Sequence, residues 1–301
     1  MSTTEVTAAL DVGGTKIAAG LVTADGTVLH QDERPTAVDG RLRDPGLTGT
    51  VAAARGLLAE AGRRGLTVTA LGAGFPEYVA PDGVLTSREV LAWDIQPQRV
   101  LAGELPGISV AVGSDVRCGA LGEARYGAGR GLDHFLYVSL GTGLSSTVVL
   151  GGTPVPGRRG EAIALGAFEV PASVDPDWRG TLEEYCSGRG IGDRRTALGG
   201  VTTPGAREVT ELAERGDPDA DRVLATAGAA LGTVLAMAVK LLDPAAIVLG
   251  GGLGTAPGPV RSAMEAAYAE GSAARPHAPP LLPAALGPAA GLIGAACLAS
   301  A

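Results

Sequence analysis

The chain has 301 residues, of which 46% are hydrophobic and 19% are charged, and it carries a net charge of −8 at pH 7. This length allows two domains, or one large domain, with a sizeable apolar core. The acidic balance, without any cluster of Lys and Arg, argues against nucleic acid or an anionic membrane as the main partner.

Two further features bear on where the protein works. The first residues lack a charged segment followed by an apolar one, and we expect no apolar run of about 18 residues, so export and membrane insertion are not expected. Cys118, Cys186 and Cys297 are isolated and odd in number, which fits reduced thiols and offers no Cys-x-x-Cys metal pair. These observations favour a cytoplasmic protein.

The first part of the chain alternates between strand and helix patterns. In chain order it predicts strands 6–12, 17–23 and 28–34, helix 50–64, strands 67–74 and 108–113, and helix 116–125. Asp25-Gly26 predicts a hairpin between the second and third strands, and residues 76–97 are rich in turn residues. An antiparallel start followed by alternating strands and helices indicates an α/β fold with a sheet of mixed direction.

A second cycle begins at residue 135. The segment FLYVSLGTGLSSTVVLGG repeats the opening order of apolar strand, glycine turn and apolar strand, which indicates two related halves. Residues 151–205 are irregular in pattern and rich in Gly, Pro and Arg. The rest predicts helices at 206–215 and 220–242, a strand and glycine turn in AIVLGGGLG, and a short strand and apolar helix in PAALGPAAGLIGAACLA.

The first strand pair encloses a glycine turn, Asp11-Val12-Gly13-Gly14-Thr15-Lys16. Glycines in such a turn let backbone N–H groups approach a phosphate, and the hydroxyl of Thr15 and the ammonium of Lys16 can complete the cradle. Asp11 ends the strand, where it could hold Mg²⁺, most simply through a water molecule. A hairpin turn with a solvated lysine is the simpler alternative, and one such motif does not decide between the two.

Two further glycine turns follow apolar strands, and they favour phosphate binding over unrelated turns. Gly141-Thr142-Gly143 repeats the first device, and Gly250-Gly251-Gly252 offers a third close approach of the backbone. The chain has neither a Walker A loop nor the glycine spacing of a dinucleotide fingerprint, so a hydride-transfer enzyme is a poor candidate.

Phosphoryl transfer to an alcohol needs a base near the acceptor oxygen. Asp115 is the best-placed carboxylate, because VAVGSDVRCGALGE puts it between a predicted buried strand and a predicted helix. A Ser-Asp pair at such a junction also commonly caps the helix, so spacing alone leaves both roles open.

Together these motifs resemble those of the ROK family of sugar kinases, within the actin-like ATPase superfamily, over nearly the whole chain. The matching segments are DVGGTKIAAGLV, SDVRCGALGEARYGAG, YVSLGTGLSSTVVLGG, LEEYCSGRGI, IVLGGGL and LGPAAGLIGAACLA. They are similar, in that order, to the first phosphate motif, the catalytic aspartate segment, the second phosphate motif, a Leu-Glu…Ser-Gly segment, the adenosine motif and the closing helix.

The resemblance implies a two-lobed, ribonuclease H-like α/β fold with mixed sheets and a central cleft for a sugar and ATP. The N-terminal lobe would comprise residues 1–116 and 287–301, and the C-terminal lobe residues 117–286. The three glycine turns would bind ATP with Mg²⁺, and Asp115 would deprotonate a sugar hydroxyl.

The sugar half of the chain departs from the family pattern. Family members usually carry a Gly-Glu-x-Gly-His segment and a cysteine cluster that bind zinc, whereas this chain keeps Glu161 but has Ala164 near the histidine position. We therefore expect no zinc site, and expect packing of Phe168 and Trp178 to order this segment instead.

Other departures concern the sugar contacts that the resemblance implies. The family's Asn before the catalytic Asp is Ser114, its Pro-Gly near the sugar is Pro76-Glu77, and its Asn ahead of a Trp aligns with Glu89. These residues, with Glu161 and Glu183, make the expected sugar site. A carboxylate in place of an amide suits an ammonium group, which favours an amino sugar such as kanosamine; in the alternative, Glu89 points to solvent.

The main interpretation is therefore a kinase for the 6-hydroxyl of a hexose or amino-hexose, with kanosamine placing it in antibiotic biosynthesis. The alternatives are a glucokinase of general metabolism and a non-catalytic sugar-binding regulator. Regulatory relatives carry an N-terminal winged helix-turn-helix, for which a first strand at about residue 6 leaves no room. Relatives are often dimers, so we expect a homodimer without nucleic-acid or membrane partners.

Overall fold

The computed structural model describes residues 4–39, 42–199 and 202–300. The chain forms two units, each with its own sheet and its own apolar core. The first unit consists of Met1–Gly131, Val149–Ile163 and Pro288–Ala301, and the second of Leu132–Val148 and Ala164–Gly287. The two mixed sheets confirm the predicted α/β fold class.

Twelve strands and ten α-helices make up the described part of the chain. The strands are β1 (Glu5–Val12), β2 (Lys16–Val22), β3 (Val28–Pro35), β4 (Val38–Asp39), β5 (Leu42–Arg43), β6 (Thr67–Phe75), β7 (Ser109–Ser114), β8 (His134–Leu140), β9 (Leu144–Leu150), β10 (Thr153–Pro154), β11 (Ala246–Gly250) and β12 (Leu281–Pro283). The helices are α1 (Thr48–Arg63), α2 (Pro97–Glu104), α3 (Asp115–Tyr126), α4 (Leu182–Cys186), α5 (Gly188–Ala197), α6 (Ala206–Glu214), α7 (Pro218–Leu242), α8 (Gly252–Thr255), α9 (Pro259–Ser272) and α10 (Ala290–Ala299).

The five-stranded sheet of the first unit has the order β3-β2-β1-β6-β7. The β1–β2 and β2–β3 pairs are antiparallel, whereas β1–β6 and β6–β7 are parallel. Successive residues of a strand face opposite sides, so Ile17 of β2 lies against α1 while Gly20 lies against α10. Helices thus cover both faces, which explains why β1 and β2 are apolar along most of their length.

The second unit repeats this arrangement in the order β9-β8-β11-β12. Strands β8 and β9 form an antiparallel hairpin, and β8–β11 and β11–β12 are parallel. The last residues of β9 also pair with the short β10. The repeated glycine hairpins of the sequence therefore do mark two sheets of like topology.

Helix α7 forms the centre of the second core and packs along α9. The approach is close, because a Cβ on Gly232 of α7 would lie 2.2 Å from the carbonyl oxygen of Met264. Our expectation that the chain has no apolar run of about 18 residues is wrong, since α7 is long and apolar enough to cross a membrane. In this structure 61% of its most apolar window is buried, as in the core helix of a globular unit.

Most predicted elements outside residues 151–205 agree with the structure. Two short strands, β4 and β5, and three helices, α2, α8 and α9, had no prediction, and the last strand, β12, ends where PAALG begins. The irregular pattern of 151–205 is wrong in part, because α4 and α5 lie within it. Thr181 and Glu184 form a reciprocal capping box at the start of α4. Three glycines in the first turns of α5 lower its helix propensity, so tertiary contacts rather than local preference hold it.

The division into units differs from the predicted lobes. The sequence suggested a boundary after residue 116, whereas α3 stays with the first unit because it packs tightly on α10. At Gly294 of α10, a Cβ would fall 1.6 Å from the carbonyl oxygen of Cys118 in α3. Residues 149–163 also belong to the first unit, where Gly160 lies against the carbonyl of Val79.

Candidate functional site

Asp115 is the first residue of α3 and follows directly on β7. Strand β6 packs closely against it: a Cβ on Gly74 would lie 3.3 Å from the Cα of Asp115, a tight contact. The capping residue is Ser114, which makes no side-chain cap hydrogen bond. The carboxylate of Asp115 accepts a hydrogen bond from the adjacent Val116 amide at 2.6 Å and lies 3.4 Å from the Ser114 hydroxyl. Asp115 is therefore not the N-cap residue of α3, although its carboxylate satisfies one amide of the first turn.

The electrostatic surroundings of Asp115 disfavour its charged form. Burial raises the pKa of Asp115 to about 7, and the negative charges of Asp11 and Glu77 act in the same direction. The hydrogen bonds from Val116 and Ser114 lower this pKa and only partly offset the other effects. A carboxyl group with such a pKa can accept a proton near neutral pH and release it again.

Asp11 lies at the end of β1, partly buried beneath α10. The contact requires a glycine, because a Cβ on Gly291 of α10 would lie 2.4 Å from an oxygen of Asp11. Burial raises the pKa of Asp11 to about 6, the ammonium of Lys16 lowers it, and the charge of Glu33 raises it. The first unit thus brings two carboxylates of raised pKa, Asp11 and Asp115, into one electrostatic environment.

These two carboxylates fit the oxygen ligands that Mg²⁺ prefers. Among residues 4–39, 42–199 and 202–300, no group of three or more His, Cys, Asp or Glu is placed to hold a metal ion. Mg²⁺ commonly takes only one or two protein carboxylates and completes its shell with water and substrate phosphates. Asp11 therefore suits a Mg²⁺ ion that arrives with a nucleotide better than one held by the protein alone.

The first glycine hairpin, residues 13–15, is fixed by hydrogen bonds from outside the turn. The carbonyl of Gly13 accepts from the Thr36 hydroxyl at 2.6 Å, and the carbonyl of Thr15 accepts from the Thr36 amide at 2.9 Å. Arg43 donates to the carbonyl of Gly14. With its carbonyls engaged in this way, the turn has a defined shape that a phosphate could meet.

Lys16 is the first residue of β2 and is exposed. Its ammonium group lies 2.7 Å from a carboxylate oxygen of Glu33 on the neighbouring strand β3. Both side chains are about half exposed, so the pair is solvent-screened. The predicted phosphate contact of Lys16 would require it to leave or share Glu33, and that contact stays a prediction.

Glu77 and Glu89 occupy different environments. Glu77 is 3% exposed, and its carboxylate accepts hydrogen bonds from the Ser87 hydroxyl and from the amides of Glu89, Val90 and Leu91. The side chain of Glu89 is exposed, and its carboxylate has no hydrogen bond or ion pair within the described part of the chain. The structure therefore gives Glu77 internal partners, whereas the exposed Glu89 agrees with the alternative in which it points to solvent, and its sugar contact stays a prediction.

The second glycine hairpin, residues 141–143, is held by the start of α5. The amide of Gly188 donates to the carbonyl of Gly141 at 2.8 Å, and the amide of Arg189 donates to the carbonyl of Thr142 at 3.2 Å. A Cβ on Gly188 would lie 2.8 Å from the same carbonyl oxygen, so a larger residue would push the hairpin away. Ser187 caps α5 by accepting from the Gly190 amide.

The third glycine turn leads from β11 into α8. Gly251 has a φ of 76°, and a Cβ there would lie 2.3 Å from the carbonyl oxygen of Leu140 at the end of β8. Only glycine combines this left-handed backbone with so close an approach. The turn therefore lies beside the second hairpin, within the second unit.

A cavity of about 680 Å³ opens between these two turns in the second unit. Four helices, α5, α6, α8 and α9, have their N-terminal residues Gly188, Ala206, Gly252 and Pro259 on its wall. Helix N-termini carry a partial positive charge that favours phosphate, although at α5 the first amides are already engaged by the second hairpin and by Ser187. The wall also has apolar groups such as Leu253 and Val260 that suit an aromatic base.

The remaining residues predicted for the sugar site lie on both units. Ser114 is fully buried in the first unit. Glu161, also in the first unit, is exposed and lies 3.1 Å from the guanidinium of Arg159. Glu183 is the second residue of α4 in the second unit, where its carboxylate is close to Gly143 and Gly166. Their sugar contacts stay predictions.

The segment expected to lack zinc is organised around Arg194. Its guanidinium lies 3.4 Å from the ring centre of Tyr185 and 6.0 Å from that of Trp178. It also donates to the carbonyls of Tyr185 and Val223 and to the Thr226 hydroxyl. The prediction that Phe168 packs here is wrong, since that ring is 55% exposed, whereas Trp178 does pack on the core.

Sequence reasoning missed Arg194 and Arg189. Arg189 lies in the first turn of α5, on the wall of the cavity. The signal for it was the Ser187-Gly188 pair, since Ser is a frequent helix cap, but the glycines that follow hid the helix. Nothing in the local pattern around Arg194 indicates two aromatic rings as its partners.

Comparison with known proteins decides the family. The family model described as "ROK family" matches residues 7–301. The chain belongs to the ROK family. The ROK resemblance of the six sequence segments is thereby confirmed, and the three glycine turns and Asp115 lie inside the matched region.

Individual relatives align with this chain over nearly its full length. The chain is 30% identical to the glucokinase of Streptomyces coelicolor, over 98% of this chain and 97% of that protein. It is 29% identical to the kanosamine kinase of Amycolatopsis mediterranei, over 96% of this chain and 94% of that protein. The crystal structure of a ROK family glucokinase from Streptomyces griseus in complex with glucose and AMPPNP superposes with a TM-score of 0.79, at 30% identity, covering 98% and 99% of the two chains.

Proposed function

We propose that this protein is an ATP-dependent kinase that phosphorylates the 6-hydroxyl of a hexose or amino-hexose, with Asp115 as the general base. Membership of the ROK family and full-length similarity to named glucokinase and kanosamine kinase enzymes support the sugar-kinase class. The complex of the Streptomyces griseus enzyme with glucose and AMPPNP supports a hexose and ATP as the substrate pair.

The assignment of Asp115 rests on its position in the fold together with its raised pKa. Asp115 starts a helix without being its N-cap residue, and burial with neighbouring charges raises its pKa to about 7. A base works best when its pKa lies near the working pH, because it is then largely deprotonated yet still binds a proton well. Ser114 and Val116 hold the carboxylate through one of its oxygens.

In the proposed reaction the carboxylate of Asp115 takes the proton of the sugar hydroxyl as its oxygen forms a bond to the γ-phosphorus of ATP. The bond from that phosphorus to the bridging oxygen breaks, and ADP leaves with the electron pair. Catalysis in such transfers comes mainly from positioning and charge stabilisation, which the glycine hairpins would supply through their backbone amides. A Mg²⁺ ion bound with ATP near Asp11 would offset phosphate charge.

The cavity of the second unit is the proposed nucleotide site. The helix N-termini on its wall would bind the phosphates. Gly141 and Thr142 of the second hairpin and Gly252 of the third turn also line the cavity. Its volume of about 680 Å³ suits a nucleotide, since pockets for small ligands measure roughly 300 to 1,000 Å³.

The direct test is turnover with a panel of sugars. The purified protein is incubated with ATP and Mg²⁺ and with glucose, kanosamine, glucosamine, mannose or N-acetylmannosamine, and ADP formation is followed with a coupled assay. We expect sugar-dependent ADP formation with at least one hexose, and phosphorus NMR should find the new phosphate on the 6-oxygen. ADP formation that is independent of every sugar would contradict the proposal.

An amino sugar as the physiological acceptor is a second, narrower proposal, which the similarity to a named kanosamine kinase supports. The carboxylate of Glu89 is exposed, and within the described residues it has no cation of its own, so a ligand ammonium would be a suitable partner. The values of kcat/KM for kanosamine, glucosamine and glucose are compared in wild type and Glu89→Gln. A preference for an amino sugar that Glu89→Gln removes would support the proposal, and equal use of all three sugars by both proteins would contradict it.

The kanosamine proposal would place the enzyme in antibiotic biosynthesis, and the glucose alternative in general metabolism. A non-catalytic sugar-binding protein is the remaining alternative, and the sugar panel separates it from both kinases. We also propose a cytoplasmic homodimer, which light scattering of the purified protein would test.

A further inference from the structure

Glu77 is a buried carboxylate whose hydrogen-bonding capacity is fully used. One oxygen accepts from the Ser87 hydroxyl and, at 2.8 Å, from the Glu89 amide. The other accepts from the amides of Val90 and Leu91 at 2.8 and 2.9 Å. A carboxylate has about four acceptor positions, and all four donors come from residues 87–91, which we call the acceptor loop.

The acceptor loop is held at its other side by the first glycine hairpin. A Cβ on Gly14 would lie 2.7 Å from a methyl carbon of Val90, so the loop packs directly on the hairpin. The amide of Ala92 donates to the carbonyl of Arg43 at 2.9 Å, and Arg43 in turn donates to the carbonyl of Gly14. Val90 thus forms the contact between the acceptor loop and the hairpin that precedes Lys16.

The position of Glu77 in the chain places the same loop near the end of the sheet that carries Asp115. Glu77 follows β6 by two residues, and the last residue of β6, Phe75, pairs with Ser114 at the end of β7. Asp115 is the next residue, and the charge of Glu77 contributes to its raised pKa. Glu77 therefore connects three parts of the first unit: the proposed base, the acceptor loop and the first hairpin.

We propose that Glu77 is a positioning residue for the acceptor sugar: its buried carboxylate folds the acceptor loop so that the exposed Glu89 side chain and the backbone around it are held beside the hairpin and Asp115. This inference rests on the proposed function. It changes the role that sequence comparison suggests for Glu77, because the carboxylate acts through the loop and does not itself contact the sugar.

Only a carboxylate fits this position. Three backbone N–H groups and one hydroxyl point at the side chain, and all of them are donors in this arrangement. A glutamine would place an NH₂ group against two of these donors and leave them buried without an acceptor. An aspartate is one methylene shorter and could not reach both pairs of donors at once.

Amide hydrogen exchange tests the loop independently of any enzymatic activity. In wild type we expect slow exchange at Glu89, Val90 and Leu91, although Glu89 and Val90 belong to a surface turn. In Glu77→Gln we expect their exchange to speed up roughly tenfold or more, since an unsatisfied buried donor opens the loop. The matched control is Asp82→Asn, which removes a carboxylate from the neighbouring turn and from the Val84 amide but leaves the acceptor loop bonded.

Steady-state kinetics then test the positioning role. In Glu77→Gln we expect KM for the sugar to rise roughly tenfold to hundredfold, with KM for ATP within about twofold of wild type. A purely structural defect would lower the active fraction and reduce kcat for both substrates without this split. Asp82→Asn should leave both KM values unchanged.

If Glu77→Gln fails to fold, Ser87→Ala keeps the test available. It removes one donor of the four, together with the acceptor of the Tyr78 amide, and leaves the carboxylate and the three amide bonds, so we expect a smaller rise of KM for the sugar, roughly two- to fivefold.

The outcomes separate the inference from the function on which it rests. Unchanged exchange at residues 89–91 in Glu77→Gln, or fast exchange with an unchanged KM for the sugar, would overturn the positioning role. Fast exchange with a raised sugar KM and an unchanged KM for ATP would support it. A wild-type protein that phosphorylates no sugar would contradict the proposed function, while the exchange experiment would still show whether Glu77 folds the loop.

Discussion

The two units build the same sheet around a glycine hairpin but give that hairpin different surroundings. In the first unit β1 and β2 flank residues 13–15, with β6 parallel to β1; in the second, β8 and β9 flank residues 141–143, with β11 parallel to β8. Both hairpins thus leave the sheet beside a parallel strand that ends at the same level. Topology alone makes the two turns equivalent.

The charges at the two hairpins differ. Two residues before its first glycine the first hairpin has Asp11, where the second has Ser139. The strand after the turn begins with Lys16 in the first unit and with the apolar Leu144 in the second. Of the two hairpins, only the first therefore follows a carboxylate of raised pKa, Asp11. The other such carboxylate, Asp115, lies in the same unit.

The means of support differ as well. Side chains of Thr36 and Arg43 hold the first hairpin, whereas backbone amides at the start of α5 hold the second. Buried carboxylates suit proton transfer and a cation, and clustered helix N-termini suit phosphate. The same strand order thus provides two positions, and the loops that follow the strands give each position its chemistry.

The largest expected effect concerns Asp115, the second carboxylate of raised pKa in the first unit. Asp115→Asn should lower kcat by about 10² to 10⁴, because a positioned general base contributes a factor of that size. The amide keeps the size of the side chain, so binding of the sugar, measured by calorimetry, should change by less than about threefold. Asp82→Asn is the control for loss of a carboxylate elsewhere in the same unit. A variant with most of its kcat would show that Asp115 is not the base.

The same variant should gain stability above neutral pH. The pKa of Asp115 in the folded protein, about 7, lies above the ordinary value of 3.8 for an aspartate, so the folded state binds the proton more tightly. Its ionisation therefore removes stability as pH rises from about 4 through 7. Asp115→Asn lacks this loss, so its melting temperature should exceed that of wild type at about pH 8 and approach it at low pH. A simple structural defect would lower the melting temperature at every pH.

The next effect concerns the second unit, which we propose is ordered without a metal. Arg194→Met should lower the free energy of unfolding by about 2 to 4 kcal/mol, because it removes three hydrogen bonds and a stacked cation from a mostly buried site. Urea denaturation gives the value, and Arg222→Met, at an exposed pair with Asp219, should change it by less than about 0.5 kcal/mol. A chelator should leave the unfolding curve of wild type unchanged; one equivalent of bound zinc would contradict the proposal.

Much of this fold was predictable because its signals are local. The hairpins around Gly13 and Gly141 are each an apolar run, a glycine turn and a second apolar run within about twenty residues, and both formed as predicted. The position of Asp115 at a strand-to-helix junction was predictable for the same reason. The repeat of the hairpin pattern also indicated two sheets of like topology.

The rest depends on contacts between residues distant in sequence. Helix α5 begins with glycines, which have a low intrinsic helix propensity. These glycines are needed for tertiary packing, because a Cβ at Gly188 would press on the hairpin carbonyl and a Cβ at Gly190 would press on α4. The role of Glu77 depends on a turn that returns residues 87–91 to its carboxylate. The hydrophobic periodicity of the sequence indicates neither of these contacts.

A moderate effect should distinguish the supports of the two hairpins. Gly188→Ala adds a Cβ 2.8 Å from the carbonyl oxygen of Gly141, so it should displace the second hairpin and raise KM for ATP roughly tenfold, with KM for the sugar unchanged. Gly62→Ala in α1 is the matched control: it has open space around it and should add roughly 0.5 to 1 kcal/mol of stability without a kinetic effect. A rise confined to the KM for the sugar would show that the second hairpin does not bind ATP, which would contradict the prediction.

The smallest expected effect tests the charge that sets the first hairpin apart. The ammonium group of Lys16 pairs with Glu33 at the surface, and its charge lowers the pKa of Asp11. Lys16→Met removes this ammonium group. The folded-state pKa of Asp11, about 6, already lies above the ordinary value of 3.8 for an aspartate, and loss of the ammonium should raise it further. Ionised Asp11 is therefore less stable in the variant, and the cost appears as pH rises through about 6.

We expect Lys16→Met to lower the free energy of unfolding by less than about 1 kcal/mol at about pH 8, and by less again at about pH 5, because the surface pair itself contributes little. Urea titrations of the nucleotide-free protein in metal-free buffer measure both values. Lys240→Met removes the other lysine, at the exposed end of α7, and should show the same small change at both pH values. If the two variants have the same pH dependence, then Lys16 does not act on Asp11, and the electrostatic difference between the hairpins does not depend on the lysine.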